Sequence, residues 1–324
     1  MKWIFFLASL VISISLKAQF PGPAGTPGST AISADSAIFL NWANAIDIER
    51  GFQNISEPTL GRASGGVGED ALGPADRLSV VSLGDGGIAT VTFPRPIRNG
   101  EGPDFAVFEN AFSDRFLELA FVEVSSNGVD FFRFPATSNI PTDRQIGPFD
   151  ERGDATLLNN LAGKYRSGFG TPFDLEELVD IPELNVNLIT HVKIIDVVGS
   201  INPDFASFDQ NNQAINDPFP TSFETGGFDL DAIGVIHEAQ VSSTATLAHQ
   251  ETPLVAPNPF PIGSSMQLQF DAPIQQVELC SADGRFHYQG RENIIPTQSL
   301  SAGVYFLRLK TLTGRYYWQK LLLK

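Results

Sequence analysis

The sequence predicts an all-β protein, in which a large antiparallel β-sandwich precedes a smaller C-terminal one. Two observations favour this class. The 324 residues include 29 glycines and 22 prolines, which suit many short strands joined by tight turns. Short apolar runs recur between polar or glycine-rich segments, and no segment shows a convincing long helical period. The length favours one large domain and one small domain over a single core.

The first segment is typical of a secretory signal peptide. Residues 1–18 contain an early lysine, an apolar run and then the small residue Ala18. The run is shorter than the roughly 20 residues that a bilayer crossing requires. We therefore expect export via Sec and no transmembrane span in the mature protein. A Pro/Gly leader, residues 19–30, follows.

The body is predicted over residues 31–238. A two-residue type I′ hairpin turn is expected at Asn127-Gly128, because both residue types tolerate positive φ angles. A short helix is expected near residues 173–179. The predicted strands are residues 38–43, 78–83, 88–93, 104–108, 121–125, 129–134, 191–199 and 228–236.

A polar linker, residues 239–253, separates the body from a second unit over residues 254–324. That unit is predicted to be a small β-sandwich that ends in a hairpin. Its predicted strands are residues 266–270, 276–280, 304–310 and 315–323.

The charge is distributed unevenly. Residues 1–253 carry 14 Lys/Arg and 33 Asp/Glu, within a formal net charge of −16 for the whole chain. So acidic a body argues against nucleic acid as a partner, since little would neutralise phosphates. It is compatible with divalent cations or simply with solubility. Cys280 is the single cysteine, which excludes a disulfide framework and a cysteine metal cluster.

Four ordered blocks occur in the last seventy or so residues: VAPNPF at 255–260, SADGRFHYQG at 281–290, LSAGVYFLRL at 300–309 and KLLLK at 320–324. Together they resemble the C-terminal sorting domain of the Bacteroidetes type IX secretion system, type A. The resemblance implies a partnership with the type IX secretion machinery through residues 254–324. It also implies passage across the outer membrane and release or attachment at the cell surface.

The body carries a second resemblance. AFVEVSSNGVDFFRFP at 120–135 resembles the strand–turn–strand of discoidin-like, galactose-binding-like jelly rolls, and FDLDAIGVI at 228–236 resembles the closing strand of related carbohydrate-binding domains. In those domains an acid near the strand start helps to hold a structural calcium. The body is also similar to secreted bacterial surface proteins with GPDF.VFEN, GTPFDL and GFDLDA blocks. The fold implied for residues 31–238 is a jelly-roll-like antiparallel β-sandwich.

Several acids continue apolar strand faces or flank them. Burying such a carboxylate bare costs several kcal/mol, so it must be hydrogen-bonded, neutralised or metal-bound. Calcium takes six to eight oxygen ligands, which suits acids at strand ends beside loops. A structural calcium site is therefore predicted from Glu109, Asp229 and Asp231, with Asp104 as a further candidate. The alternative is that each acid accepts backbone N–H bonds or pairs with an arginine.

Catalytic motifs are not recognised. The four histidines are scattered, His237-Glu238 lacks the second histidine of a zincin, and no GxSxG elbow occurs. Aromatic residues offer a sugar-stacking platform, although core packing is the commoner fate of such side chains. The candidates are Trp42, Phe131, Phe132, Tyr165 and Phe169.

We therefore predict a non-catalytic binding protein at or outside the cell surface, for a glycan or another small extracellular ligand. A structural or adhesive protein with a protein partner is one alternative, and a hydrolase of an unrecognised type is another. An aromatic-and-acid groove would favour glycan binding, and a flat apolar patch would favour adhesion. Two close carboxylates of raised pKa in a cleft would favour hydrolysis.

Overall fold

The computed structural model describes residues 20–239, 254–255, 257–270, 273–281, 285–311 and 316–324. The chain forms two compact units, Met1–Ala239 and Gln240–Lys324, here called the body and the tail unit. The predicted signal peptide lies outside the described residues, as does the predicted linker after Ala239. No helix of the described residues combines the length and the apolar character that a bilayer crossing requires.

The regular structure of the described body is almost entirely β, which confirms the predicted class. Its helical turns are short 3-10 segments, at Pro58–Leu60, Gly68–Ala71, Ala155–Leu157 and Leu175–Leu178. The strands are β1 Ile32–Ser33, β2 Asn41–Trp42, β3 Ala45–Glu49, β4 Val81–Ser82, β5 Ile88–Ile97, β6 Phe105–Glu109, β7 Ala120–Ser125, β8 Phe132–Arg133, β9 Thr137–Ser138, β10 Leu158–Asn159, β11 Phe169–Phe173, β12 Ile189–Asp196 and β13 Asp229–Val235.

Two antiparallel sheets form the sandwich. The first has six strands in the order β1-β11-β6-β13-β2, with β4 also paired to β13. The second has five strands in the order β3-β5-β12-β7-β8. Strands β9 and β10 make a separate pair.

The main core lies between the two sheets. Phe105 and Ile233 of the first sheet join Val122 and Ile194 of the second in one buried cluster. Burying each such side chain contributes about 1.5–3 kcal/mol. Every residue of β13 is buried, which explains why its sequence reads as a continuous apolar run interrupted only by acids.

The predicted hairpin exists, but its predicted turn is wrong. Strands β7 and β8 pair through Glu123–Arg133 and Val124–Phe132, yet the connection between them is longer than two residues. Gly128 has a φ of 76°, whereas Asn127 has no positive φ. The Asn127 side chain instead accepts hydrogen bonds from the N–H groups of Val129 and Asp130 at 2.8 and 2.9 Å. Its amide oxygen thus organises a wider loop.

The leader is held against the body. Phe20 N–H donates to the Thr156 carbonyl at 2.9 Å, and the Thr30 hydroxyl is 2.9 Å from the Tyr165 hydroxyl. Ala24 is buried. The segment continues directly into β1, which pairs with β11.

The described tail unit is also β. A four-stranded sheet has the order β16-β15-β18-β19, and β14 pairs with β17. Buried side chains such as Val277, Leu307 and Leu321 form its own apolar core. Its strands are β14 Ser265–Gln267, β15 Ile274–Ser281, β16 Phe286–Gly290, β17 Ile294–Pro296, β18 Gly303–Thr311 and β19 Tyr316–Leu323.

Candidate functional site

A cleft opens where β6 ends at Glu109 and β13 begins at Asp229. The two strands are antiparallel neighbours, with Glu109 opposite Leu230, so both acids come to the same end of the sheet. The cleft has a volume of about 350 Å³. Its lining is Asn110, Ala111, Phe112, Phe116, Glu118, Pro148, Phe149, Thr221, Phe223, Thr225, Gly226 and Asp229.

Two of the predicted calcium ligands lie at this end of the sheet: Asp229 lines the cleft, and the buried Glu109, outside the lining, is near enough for the charge of Asp229 to raise its pKa. Glu109 Oε2 accepts the Ala111 N–H at 2.8 Å, while Oε1 is buried without a hydrogen-bond partner. Asp229 Oδ1 and Ser82 Oγ are likewise buried without a partner at hydrogen-bond geometry, although the two residues are paired across the strands and Ser82 lies close enough to lower the pKa of Asp229. Such orphaned oxygens are rare in folded proteins and call for a ligand, a water or a proton. These three oxygens are suitable donors for a hard cation such as calcium.

The carboxyl groups at the cleft all titrate above their ordinary range. Burial raises the pKa of Asp229 to about 6, and the nearby Ser82, Asn110 and Arg50 side chains offset part of that rise. Burial, with the negative charges of Glu118 and Asp229, raises the pKa of Glu109 well above its usual value. Burial and the charge of Asp229 do the same for Glu118, which lines the cleft.

A second layer of buried acids lies behind the first. Asp196 accepts N–H bonds from Phe228 at 2.7 Å and Gly86 at 2.9 Å. Asp217 accepts the Leu119 N–H at 2.9 Å, and Asp85 accepts the Ile55 N–H at 2.8 Å.

Burial raises the pKa of Asp85 to about 6 and, together with neighbouring acids, holds those of Asp196 and Asp217 well above their usual range. Among the described residues these three acids form no ion pair, so no cationic partner offsets the burial that favours their neutral forms.

Arg50 is the cation beside this cluster. Its guanidinium donates to the carbonyls of Gly65 and Gly66 at 2.7 and 2.6 Å, and also to that of Ser82. These bonds hold the charge near Asp229, whose pKa it lowers in part. One arginine cannot neutralise several buried carboxylates. The remaining carboxyl groups must therefore be protonated or bind a further cation.

Phenylalanines form the mouth of the cleft. Phe112 and Phe116 stack with ring centroids 4.3 Å apart, and Phe149 and Phe223 meet at 5.5 Å. Phe112 is 67% exposed and Phe149 70%, although phenylalanine is ordinarily buried. The cleft therefore combines exposed ring faces with carboxyl oxygens below them.

Asp231 and Asp104 do not join this site. Asp231 accepts the N–H groups of Asp76 and Arg77, each at 3.2 Å. Asp104 precedes β6, at the opposite end of the strand from Glu109, and accepts from Gly100 N and Leu175 N at 2.7 and 2.8 Å. These bonds match the alternative to calcium ligation considered for both residues. No group of three or more His, Cys, Asp or Glu side chains among the described residues is arranged to hold a metal ion.

The remaining sequence candidates lie elsewhere. His237 Nδ1 lies 2.8 Å from Asp104 Oδ1, and Cys280 is half-buried in the tail unit. Trp42 packs against Phe39 and Phe108 at centroid distances of 4.8 and 5.6 Å, as core packing predicts. Glu118, Phe112, Phe149 and Phe223 were not identified from the sequence, because they lie in irregular segments without a periodic pattern.

No protein-family model matches the chain, and no curated protein is significantly similar to it. The fold and the cleft together define an antiparallel β-sandwich protein with an acid-and-aromatic cleft at one end of its six-stranded sheet.

Proposed function

We propose that the protein binds an extracellular glycan in this cleft. The observation that carries the proposal is the position of two phenylalanine pairs at the mouth of a cavity lined by Glu118 and Asp229. Sugars present C–H faces that pack on aromatic rings and hydroxyls that donate to carboxyl oxygens. A concave site with apolar walls and few polar groups is the usual form of a small-ligand site.

The raised pKa values of the cleft acids suit a polyhydroxylated ligand. A protonated carboxyl can donate one hydrogen bond and accept others, whereas a carboxylate can only accept. Burial and the charge of Asp229 raise the pKa of Glu118. The Glu118 carboxyl can therefore either donate a hydrogen bond to a sugar hydroxyl or accept one from it. The Asn110 side chain adds an amide to the same lining.

We include in this proposal a structural calcium ion beside the cleft, with fewer of the ligands that the sequence predicted. Glu109, Asp229 and Ser82 would hold the ion through their unpartnered oxygens. Asp104 and Asp231 are left out, since their oxygens already accept backbone hydrogen bonds. The ion would supply positive charge that Arg50 alone does not.

We further propose that the protein is exported via Sec and then across the outer membrane by the type IX machinery, to the cell surface or the medium. The four sequence blocks of residues 254–324 support this route. The compact tail unit, with a core separate from that of the body, is compatible with a sorting module. The test is expression in a type IX-competent bacterium: deleting residues 254–324 should trap the body in the periplasm, and surface delivery without them would contradict the route.

Hydrolysis of the bound glycan is the second candidate. It is favoured by Glu118 and Asp229, two carboxyls that line one cleft: the pKa of Glu118 is raised well above its usual value, as a general acid requires, whereas that of Asp229 is about 6, which leaves it ionised at neutral pH as a base or nucleophile must be. Release of reducing ends that is abolished by Glu118→Gln would support it. A binding protein alone releases none. No feature of the described residues favours the adhesive alternative over these two.

The binding proposal is tested by titrating the full chain with soluble neutral galactan, xylan, glucan and mannan. Phe149→Ala should weaken binding about fivefold, because one ring contact contributes about 1 kcal/mol. Phe208→Ala is the matched control, since Phe208 is exposed but lies outside the cleft lining. Absence of binding to these four polymers and to anionic polysaccharides as well, or equal loss in both variants, would contradict the proposal.

A further inference from the structure

A second cavity adjoins the cleft. It has a volume of about 320 Å³ and is lined by Arg115, Ile140, Pro141, Asp143, Arg144, Ile146, Arg152 and Asn216. No residue lines both cavities, but residues close together in the chain line one or the other: Arg115 lines this one and Phe116 the cleft, while Ile146 lines this one and Pro148 the cleft.

Three arginines gather in this cavity although acids outnumber bases in the body. Residues 1–253 contain 14 Lys/Arg against 33 Asp/Glu, so such a gathering is unexpected from composition. Arg144 lies 3.8 Å from Asp150, a loose and exposed contact. Among the described residues, Arg115 and Arg152 form no ion pair with a carboxylate. Asp143 is the acidic residue of the lining.

The backbone around these arginines is fixed by hydrogen bonds. The fully buried Asn216 donates to the carbonyls of Pro141 and Arg144 at 2.7 and 2.9 Å and accepts the Ile146 N–H at 3.0 Å. Arg115 Nε donates to the Glu151 carbonyl at 3.0 Å. That bond leaves the two terminal nitrogens of the guanidinium available. The backbone that carries the arginines is therefore held in place before any ligand binds.

We propose that this cavity, the arginine pocket, binds an anionic substituent of the glycan held in the cleft. Guanidinium groups bind the oxygens of sulfate and carboxylate in a planar, bidentate geometry. Sulfate esters and uronic acid carboxylates share this chemistry. The inference rests on the proposed function, and it narrows the ligand class from glycans in general to anionic polysaccharides.

The test titrates the full chain with a sulfated galactan, the same galactan after desulfation, and polygalacturonate. The sulfated polymer should bind at least about tenfold more tightly than its desulfated form, since charged hydrogen bonds to one group contribute about 1.5–3 kcal/mol. Polygalacturonate decides whether carboxylates are also accepted. The Arg115→Gln/Arg152→Gln variant should lose the preference while its affinity for the desulfated galactan stays unchanged.

The matched control is Arg77→Gln/Arg95→Gln, which removes the same charge from exposed positions outside the pocket. It should keep the preference. Loss of the preference in the control would mean that net charge alone attracts the polymer, and would overturn the proposal. Binding of desulfated galactan without any preference for the anionic polymers would overturn only this inference. Absence of binding to all three polymers would overturn the proposed function as well.

Discussion

Ser82 and Asp229 are directly paired across β4 and β13, and Ser82 Oγ and Asp229 Oδ1 are both buried without a hydrogen-bond partner. The unpartnered Glu109 Oε1 belongs to the neighbouring strand β6. Three adjacent strands thus each carry, at this end of the sheet, a buried polar atom that the protein itself does not satisfy. Leaving a buried polar group unsatisfied costs about 1–3 kcal/mol, so the body carries a stability cost at this site.

The first prediction concerns pH. The folded pKa of Asp229 and of Asp85 is about 6, above the ordinary value of 3.8, because burial disfavours the charged form. The neutral form therefore favours folding below 3.8, and this contribution is lost as the pH rises through about 6. We expect the body to be more stable at about pH 5 than at about pH 7.5, by roughly 1.5 kcal/mol for Asp229 alone, which is about half of the full effect reached below pH 3.8. Hydrogen exchange of the β13 amides measures this for the body by itself.

Substitution identifies the groups responsible. Asp229→Asn should remove the part of the pH dependence that Asp229 contributes and leave that of Asp85, whereas Glu101→Gln, at an exposed position outside the cluster, should leave the pH dependence unchanged. A body that loses stability steadily from about pH 7.5 to about pH 5 would contradict the titration argument.

The second prediction concerns calcium. An ion that binds only the folded body adds about 2.7 kcal/mol at a concentration of about 100 Kd. We expect CaCl₂ to raise the unfolding temperature of the body by several degrees and EDTA to reverse the rise, as followed by calorimetry. Glu109→Gln should abolish the rise. Asp231→Asn should retain it, because the Asp231 oxygens accept N–H bonds instead. A rise that survives in Glu109→Gln would place the ion elsewhere.

The third prediction concerns Asp104 as a structural residue. Its buried carboxyl accepts from Gly100 N and Leu175 N and lies 2.8 Å from His237 Nδ1. Asp104→Ala leaves these partners unpaired, and we expect it to lower the free energy of unfolding by about 3 kcal/mol. The control, Asp174→Ala, removes one exposed cap bond to Glu176 N and should cost about 1 kcal/mol. If urea denaturation showed the same loss of unfolding free energy for Asp104→Ala and Asp174→Ala, the structural role of Asp104 would be refuted.

The fourth prediction concerns two glycines with positive φ. Gly163 has a φ of 80°, and a Cβ there would lie 1.8 Å from the carbonyl oxygen of Glu118, a residue of the cleft. Gly73 has a φ of 84° but no atom within 4 Å of the same position. Gly73→Ala should cost about 1 kcal/mol from backbone strain alone, and Gly163→Ala several times more. Gly163→Ala should also weaken glycan binding, and a fully stable, fully binding variant would be inconsistent with the close approach.

The strands with long apolar patterns were predictable from the sequence. Strand β13 lies within the predicted segment 228–236, and β12 overlaps the predicted segment 191–199 but begins two residues earlier, because each strand carries a readable alternation or continuous burial. Two-residue strands such as β1 and β9 were not recognised, since so few residues give no period. Their pairing is decided by contacts made far along the chain.

The site was predictable only in part. Glu109 and Asp229 were identified because each interrupts or flanks an apolar strand, where a carboxyl needs a partner. Glu118 and the exposed phenylalanines lie in loops, and loop residues meet only when the sheets have placed their ends together. The arginine pocket was missed for the same reason, because Arg115 and Asn216 are brought together by the fold rather than by spacing.

The strand order has a consequence for how the protein is made. In each sheet the last strand along the chain occupies an interior place: β12 lies between β5 and β7, and β13 lies between β6 and β2. When such a chain emerges N-terminus first, the earlier strands of each sheet appear before the interior strand that joins them. The five-stranded sheet cannot be completed until residue 196 has appeared, and the six-stranded sheet cannot be completed until residue 235 has appeared. The two sheets of the body are therefore completed only when nearly all of its sequence has been made.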